Sequence, residues 1–232
     1  QCLFCDSYNL KPYGIGIEKV EDEIKKFFKY QNLDLPKLFR LDSGSVKTEA
    51  EEVKIIDDFI KNMGCIILTT QIIFSYKYLI KSDVIGIINA DTLTNIPDFR
   101  ADELLFRDLF TLNSMADRVI IQTHNPEQVA IKSAASGQIK SFFEGELENR
   151  KEFSYPPFSK LTKLTYRHKD QLKVRKEAEI LAEKLRNSIW HEIDLKEFEI
   201  IGPNPAFISK ERGQYIWNII LKHKINFQDQ DI

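Results

Sequence analysis

Residues 65–70 read CIILTT, residues 84–89 read VIGIIN and residues 119–123 read VIIQT. Short apolar runs of this kind, rich in β-branched side chains and lacking polar alternation, are typical of strands buried on both faces of a sheet. Amphipathic stretches accompany them, with apolar residues at helical spacing in 18–30 and 48–63. Strands that alternate with helices predict an α/β domain, with a parallel sheet and helices on both faces.

The pattern changes after residue 150. The segment Tyr155-Pro156-Pro157-Phe158 stops any helix and indicates a domain edge. Beyond it we predict a strand, a long amphipathic helix and two further strands, at residues 161–166, 171–190, 199–202 and 215–221, with a loop through Pro203 and Pro205 between the last two. This order predicts a second, smaller α+β domain with an antiparallel sheet.

Composition narrows the class of protein. Of the 232 residues, 43% are hydrophobic, which excludes a disordered or collagen-like chain. Thirty-three basic residues against thirty-five acidic ones give a net charge of −2, which excludes a globally basic nucleic-acid binder but leaves room for a local basic face. No apolar run is long enough to span a bilayer, and no signal peptide or initiator Met opens the chain. We therefore expect a cytoplasmic piece of a longer protein, with no membrane partner.

Cys2 and Cys5 form a C-x-x-C pair, whose spacing lets two thiolates bind one tetrahedral zinc ion. One pair supplies only half of the four ligands, and a chance C-x-x-C is the alternative. A closed site would need two more ligands from sequence before residue 1. We expect the pair to be metal-free or weakly loaded in this chain.

Positive charge is concentrated in the second predicted domain. Between residues 158 and 190 there are nine Lys and Arg against four acids. Such a cluster attracts phosphates without reading base sequence, although a solvated helix face is the alternative. The candidate DNA-binding residues in this segment are Lys160, Lys163, Arg167 and Lys169.

Several motifs follow one another along the chain in an order that resembles the C-terminal half of the replication-restart helicases, the PriA family (primosomal protein N-prime). The matching segments are Cys2-x-x-Cys5, Gly14-x-Gly16-x-Glu18, Arg40-Leu41-Asp42, Thr70-Gln71-Ile72-Ile73, Ala90-Asp91, Pro97-Asp98-Phe99-Arg100-Ala101 with Glu103, Ile121-Gln122-Thr123-His124-Asn125-Pro126, Tyr155-Pro156-Pro157-Phe158, and Gly202-Pro203-x-Pro205-Ala206 with Gly213 and Trp217.

The resemblance implies an organisation. Residues 1–10 would be the tail of a zinc-binding insert, and residues 11–150 a RecA-like second helicase lobe. Residues 155–232 would be a DNA- and partner-binding C-terminal domain that is truncated at its end. The family uses zinc, and ATP with Mg²⁺; its partners are forked and single-stranded DNA, single-strand-binding protein and other primosome proteins.

Two helicase motifs depart from the family. A pair of arginines in Q-x-x-G-R-x-G-R would stabilise charge on the γ-phosphate, but here residues 112–116 read LNSMA, and Arg118 aligns with the next strand. The family's K-G-x-D-F-P is replaced by SYKYLI at residues 75–80. Tyr76 or Lys77 could still meet DNA, with an ordinary surface loop as the alternative. We therefore expect an ATPase-impaired member, in which the use of ATP and Mg²⁺ is doubtful.

Lys210, Arg212 and Tyr215 lie where the family has a basic, aromatic hairpin. A cation beside an aromatic ring suits single-stranded DNA, because the charge meets the backbone and the ring offers a flat face. The resulting hypothesis is a part of a replication-restart protein that binds branched or single-stranded DNA. Two alternatives remain, which are an active helicase with a rewired arginine motif and a primosome scaffold without enzymatic activity.

Overall fold

The computed structural model describes residues 16–94, 97–192 and 198–225. The chain divides into two compact units, one up to Ile139 and the other from Lys140. Helices and strands alternate in both, as the predicted mixture of α and β structure requires. Within the described residues, no helix combines the length and the apolar character needed to cross a membrane.

The first unit contains the alternation predicted from the apolar runs. Its elements are α1 (Ile17–Tyr30), β1 (Leu38–Leu41), α2 (Glu49–Lys61), β2 (Ile66–Thr69), a 3-10 helix (Gln71–Tyr76), β3 (Ser82–Ile87), α3 (Asp91–Thr94), α4 (Ala101–Met115), β4 (Ala116–Ile121) and α5 (Val129–Ser136). Thr48 begins α2 with a capping box, because its hydroxyl accepts from the Glu51 backbone N–H and the Glu51 carboxylate accepts from the Thr48 N–H.

The strands of the first unit pair in parallel, as predicted. β1 pairs with β2, and β3 pairs with β4. The described residues form two separate pairs, however, and not one continuous sheet. The prediction that helices cover both faces of the sheet also differs from the structure. On one face of the β3–β4 pair, Val84 and Ile120 are 51% and 57% exposed. An apolar run alone does not say which of its faces is covered.

A compact apolar cluster joins β1, α2 and the 3-10 helix. Its buried members are Leu41, Val46, Ile56, Ile73, Ile80 and Met115. Leu41 and Ile56 are 0% and 1% exposed. Burying a side chain of this size contributes about 1.5–3 kcal/mol, so this cluster holds the 3-10 helix in place.

The second unit is a three-stranded antiparallel sheet with one long helix against it. Its elements are α6 (Ile139–Glu152, beginning on the last residue of the first unit), β5 (Ser159–His168), α7 (Gln171–Glu192), β6 (Phe198–Glu211) and β7 (Gln214–Lys224). The strand order is β5-β7-β6, and both pairs are antiparallel, as predicted. Val174, Ala178 and Ala182 are fully buried at a spacing of four residues and form the face of α7 that packs on the sheet.

The predicted loop through Pro203 and Pro205 is wrong. Both prolines lie inside β6, which runs from Phe198 to Glu211 with two register irregularities. In the part of the chain that the structure describes, β6 is an outer strand of the sheet. A residue without an N–H is tolerated there because one edge has no strand partner. The strand therefore continues through a sequence that is typical of a turn.

Candidate nucleic-acid interface

One end of the antiparallel sheet gathers most of the predicted DNA-binding residues. His168, the last residue of β5, pairs with Tyr215 on β7, and Tyr215 in turn pairs with Lys210 on β6. The end of β5 and the β6–β7 hairpin therefore lie side by side. We call residues 167–169 and 210–215 the hairpin end.

The turn of the hairpin presents a cation. Arg212 and Gly213 connect β6 to β7, with φ values of 48° and 77°. Two residues with positive φ are the mark of a tight type I′ connection, whose twist matches that of the strands, and glycine suits the second position. Arg212 is exposed, and among the described residues it makes no ion pair. Its guanidinium is available to an anion.

Lys210 and Tyr215 form a cation–aromatic pair beside this turn. The Lys210 Nζ lies 4.6 Å from the Tyr215 ring centroid, and it donates to the Tyr215 hydroxyl over 3.4 Å. Tyr215 is half-buried and Lys210 is exposed. The ring thus holds a positive charge next to an aromatic surface. Proteins use this combination to bind single-stranded nucleic acid.

Acidic groups partly neutralise the positive charge of the hairpin end. Arg167 donates from Nη1 to Glu211 Oε2 over 2.8 Å, and both side chains are about half-exposed. Asp170 is turned towards α7, where its carboxylate accepts from the backbone N–H groups of Leu172 and Lys173 at 2.9 and 3.1 Å. Lys169 is exposed in the turn before α7. Arg212, Lys169 and Lys210 are therefore the freer cations here.

Two predicted residues lie elsewhere on the sheet. Lys160 pairs with His223 at the end of the sheet opposite the hairpin end. It precedes Arg167 by seven residues, which places the two about 20 Å apart along an extended strand. Lys163 pairs with Ile220 in the middle of β5 and points to the same face as Arg167. Both side chains are exposed. The structure thus brings together five of the seven predicted DNA-binding residues.

Arg175 is a residue at this site that the sequence did not indicate. It lies on the second turn of α7, with Cζ 5.9 Å from the ring of Trp217. Trp217 is half-buried on β7, two residues from Tyr215 and on the same face of the sheet. Only the packing of α7 on the sheet joins positions so far apart in sequence, so no sequence signal could have found this pair.

In the first unit, residues 75–80 carry two tyrosines with different surroundings. The Tyr76 hydroxyl donates to Glu52 Oε2 over 2.8 Å, and its ring packs against the apolar cluster. Burial, followed by the Glu52 carboxylate, raises the pKa of Tyr76. Tyr78 is 89% exposed, with Lys77 Nζ 5.0 Å from its ring centroid. Tyr76 and Lys77 are thus half-buried, whereas Tyr78 faces solvent.

Two buried carboxylates hold the strand ends of the first unit. Asp42 accepts from Arg40 Nε at 2.5 Å and from the Gly44 N–H at 2.7 Å. Hydrogen bonding from Arg40 lowers the pKa of Asp42 to about 2. Asp91, after β3, accepts from the Thr123 hydroxyl at 2.6 Å and the His124 N–H at 2.9 Å after β4, and these bonds lower its pKa. Both carboxylates are saturated by partners within the fold.

The predicted zinc ligands Cys2 and Cys5 lie outside the described residues. Within residues 16–94, 97–192 and 198–225, no three His, Cys, Asp or Glu side chains cluster as a metal site would need. Half of a C-x-x-C zinc site therefore stays a prediction.

Known proteins are similar to this chain, including the residues that form the hairpin end. Residues 151–230 match the family model of the primosomal protein N C-terminal domain. A replication restart protein PriA from Borreliella burgdorferi is 34% identical over 229 residues, which cover 96% of this chain and 33% of the relative. Proteins of the same name from Bacillus subtilis (28% identical, 96% of this chain, 27% of the relative) and Thermotoga maritima (30%, 89% and 27%) are also similar.

The chain spans a third or less of the length of these curated relatives, and it matches their C-terminal part. The resemblance predicted from the sequence motifs is thereby confirmed. It extends over nearly the whole chain, and it includes the unit that carries the hairpin end.

Proposed function

We propose that this chain, similar over nearly its whole length to the C-terminal part of replication restart proteins, acts in the restart of DNA replication. Its second unit binds branched or single-stranded DNA through the hairpin end. The observation that carries the proposal is the convergence of Lys169, Lys210, Arg212 and Tyr215 at one end of one sheet. The name of the relatives supports the process, and the local chemistry supports the ligand.

The contact we propose is made mainly to the DNA backbone. Lysine and arginine side chains at the hairpin end neutralise phosphates, which positions a strand without reading its sequence. Tyr215 adds an aromatic surface beside Lys210, which favours unpaired bases over a closed duplex. Lys160 and Lys163 lie further along β5 and attract a bound strand from a distance. Binding of this kind weakens steeply as salt rises.

For the first unit we propose a RecA-like helicase lobe with reduced ATPase function. Its parallel strand pairs and helices support the lobe, and the motif around Asp98 and Arg100 supports the family. The pair of arginines that the family places after α4 is missing, and an arginine of this kind is worth about 10³-fold or more in rate. A protein containing this chain therefore hydrolyses ATP weakly and serves as a DNA-binding and primosome-assembling platform, with Cys2 and Cys5 as half of a zinc site.

Fluorescence anisotropy of the chain with a labelled single strand, a fork and a duplex tests the DNA interface. We expect binding that prefers single strand or fork and that weakens from low to moderate salt. A Lys210→Ala/Arg212→Ala double variant should lose two phosphate contacts, and the slope of log K against log salt should then fall by about 1.4 for a single strand. The matched control is Lys184→Ala. Lys184 is exposed and lies 13 residues after the start of α7, about 20 Å along the helix from its first residue.

The outcomes separate the alternatives. Loss of affinity in the double variant but not in Lys184→Ala supports the hairpin end as the interface. Equal losses of affinity in both variants would show that only net charge matters, and would overturn the assignment of the hairpin end as the interface. No binding by the unaltered chain at low salt would favour a scaffold that meets only protein partners. DNA-stimulated phosphate release by a protein that contains this chain tests the ATPase proposal, which vigorous hydrolysis would contradict.

A further inference from the structure

β6 carries a large bulge just before the hairpin end. Pro205 pairs with Trp217 and Lys210 pairs with Tyr215, so four residues of β6 stand opposite the single residue Ile216 of β7. The extra residues cannot follow the pleat and are pushed away from the ladder. Among the described residues β6 is an outer strand, and none of their strands pairs with its other side.

The bulge exposes two large apolar side chains. Phe207 is 71% exposed and Ile208 is 64% exposed, whereas Ile216 opposite them is buried. An exposed phenylalanine loses the burial energy that most aromatic side chains gain. Its neighbours along the strand are cationic, with Lys210 three residues on and Arg212 five residues on. Bulges commonly serve to re-aim a side chain, and here the re-aimed group is a flat ring beside a basic turn.

We propose that Phe207 is a base-stacking platform for single-stranded nucleic acid, with the backbone of the same strand held by Lys210 and Arg212. The inference rests on the proposed function and adds its specificity for unpaired bases. Phe207 lies three residues before Lys210, and even a fully extended chain would separate them by only about 10 Å, so one nucleic-acid strand can meet both. Duplex DNA cannot use this ring, because its bases are already stacked.

Nucleic acid fits this surface better than an acidic apolar peptide does. The surface has two aromatic rings, Phe207 and Tyr215, interleaved with two cations, which is the pattern of single-strand-binding grooves. A peptide that adds a strand to a sheet edge needs a regular ladder, and the bulge between Pro205 and Lys210 interrupts that ladder at Phe207 and Ile208. Phe207 and Ile208 instead project from a strand edge.

Base stacking can be separated from charge with substitutions at one exposed position. We expect Phe207→Ala to weaken binding of a labelled oligo-dT at least about five-fold, the lower end of what stacking one base contributes. Phe207→Trp should restore binding, whereas Phe207→Leu, which is apolar but cannot stack, should not. Ile208→Ala is the matched apolar control and should bind like the unaltered chain. An abasic oligonucleotide of equal length should bind all variants alike, since it keeps only the phosphates.

The Phe207→Trp variant also gives a direct optical signal. Its tryptophan emission should be quenched by oligo-dT beyond the change seen in the unaltered chain, which contains Trp190 and Trp217. Normal affinity of Phe207→Ala for oligo-dT would overturn the stacking proposal. If Lys210→Ala/Arg212→Ala still weakened binding in that case, the proposed function would stand without it. If Phe207→Ala instead lost only the binding of an acidic apolar peptide, the platform would belong to a protein partner.

Discussion

Arg167 and Glu211 lie 44 positions apart in the sequence and form an ion pair, with Arg167 Nη1 2.8 Å from Glu211 Oε2. The pair links the two outer strands, β5 and β6, across β7. It also places a carboxylate inside the hairpin end and occupies one of the predicted DNA-binding cations. If the hairpin end binds DNA as proposed, Glu211 and a DNA phosphate compete for Arg167.

Replacing Glu211 with Gln should strengthen binding of single-stranded DNA. The substitution removes a like charge to the phosphates and frees Arg167, so we expect affinity to rise about three-fold at low salt and less at high salt. Anisotropy titrations at two salt concentrations measure the change. Glu183→Gln removes the same charge from the exposed face of α7 and should have little effect. An equal rise in both variants would show that only net charge matters.

Two glycines should respond very differently to alanine. At Gly202, with φ +97°, an added Cβ would lie 2.9 Å from the Asn218 carbonyl oxygen and 3.0 Å from the Asn204 nitrogen. Both neighbours are backbone atoms that cannot move aside, so Gly202→Ala should lower the free energy of unfolding of the second unit by about 3 kcal/mol or more. Gly213→Ala meets no atom within 4 Å and should cost only about 1–2 kcal/mol for its positive φ. Urea titrations that found equal losses would contradict this.

Asp42 should make the stability of the first unit depend on pH. Because its pKa in the fold is lowered to about 2, the unfolded chain takes up a proton first as pH falls. The stability that Asp42 contributes is fully present above about pH 4 and is lost as pH falls towards 2. Asp42→Asn should therefore lower the free energy of unfolding by about 1–2 kcal/mol at pH 7, and the difference should shrink below pH 4. The exposed Asp34→Asn is the control, and a constant difference across pH would rule out this linkage.

Thr123 should stabilise the first unit through Asp91. Thr123→Val keeps the shape of the side chain but removes the hydroxyl, which donates to Asp91 Oδ1 over 2.6 Å and accepts from the Asn125 N–H over 3.0 Å. We expect the thermal midpoint to fall by a few degrees and the pKa of Asp91 to rise, since the largest cause of its lowering is removed. Calorimetry and carboxyl NMR titration measure the two effects. Thr69→Val is the control, because that hydroxyl bonds only the neighbouring Thr70 carbonyl; an unchanged Asp91 pKa would argue against the assignment.

Local order was predictable because it depends on short-range periodicity. The spacing of apolar residues predicted α1, α2 and α7, and runs of β-branched residues predicted β2, β3 and β4 close to their observed bounds. The predicted loop at Pro203 and Pro205 failed for a long-range reason. Proline excludes a central strand but is accepted at an edge, and only the strand order identifies β6 as an edge.

The sequence predicted which types of residue form the candidate site, but it did not predict which of those residues lie side by side. The cluster of basic residues gave four DNA-binding candidates and the family resemblance gave three more, but neither said which of the seven lie close together. Lys160 and Arg167 are near neighbours in sequence and lie at different ends of one strand, because an extended chain gains about 3.3 Å per residue. Arg175, which the sequence did not indicate, reaches Trp217 only through helix packing.

Neighbouring residues were enough to predict the alternation of helices and strands and the resemblance to the C-terminal part of replication restart proteins, whereas the missing arginine motif stays a prediction. The tertiary structure alone decided which charges are paired and which rings are exposed. Glu211 neutralises Arg167 across the sheet, and the β6 bulge leaves Phe207 in solvent. The ion pair depends on β5 and β6, which are distant in sequence, lying on either side of β7, and the bulge depends on the register of β6 against β7. Hydrogen-bond pairing sets both only once the sheet has formed.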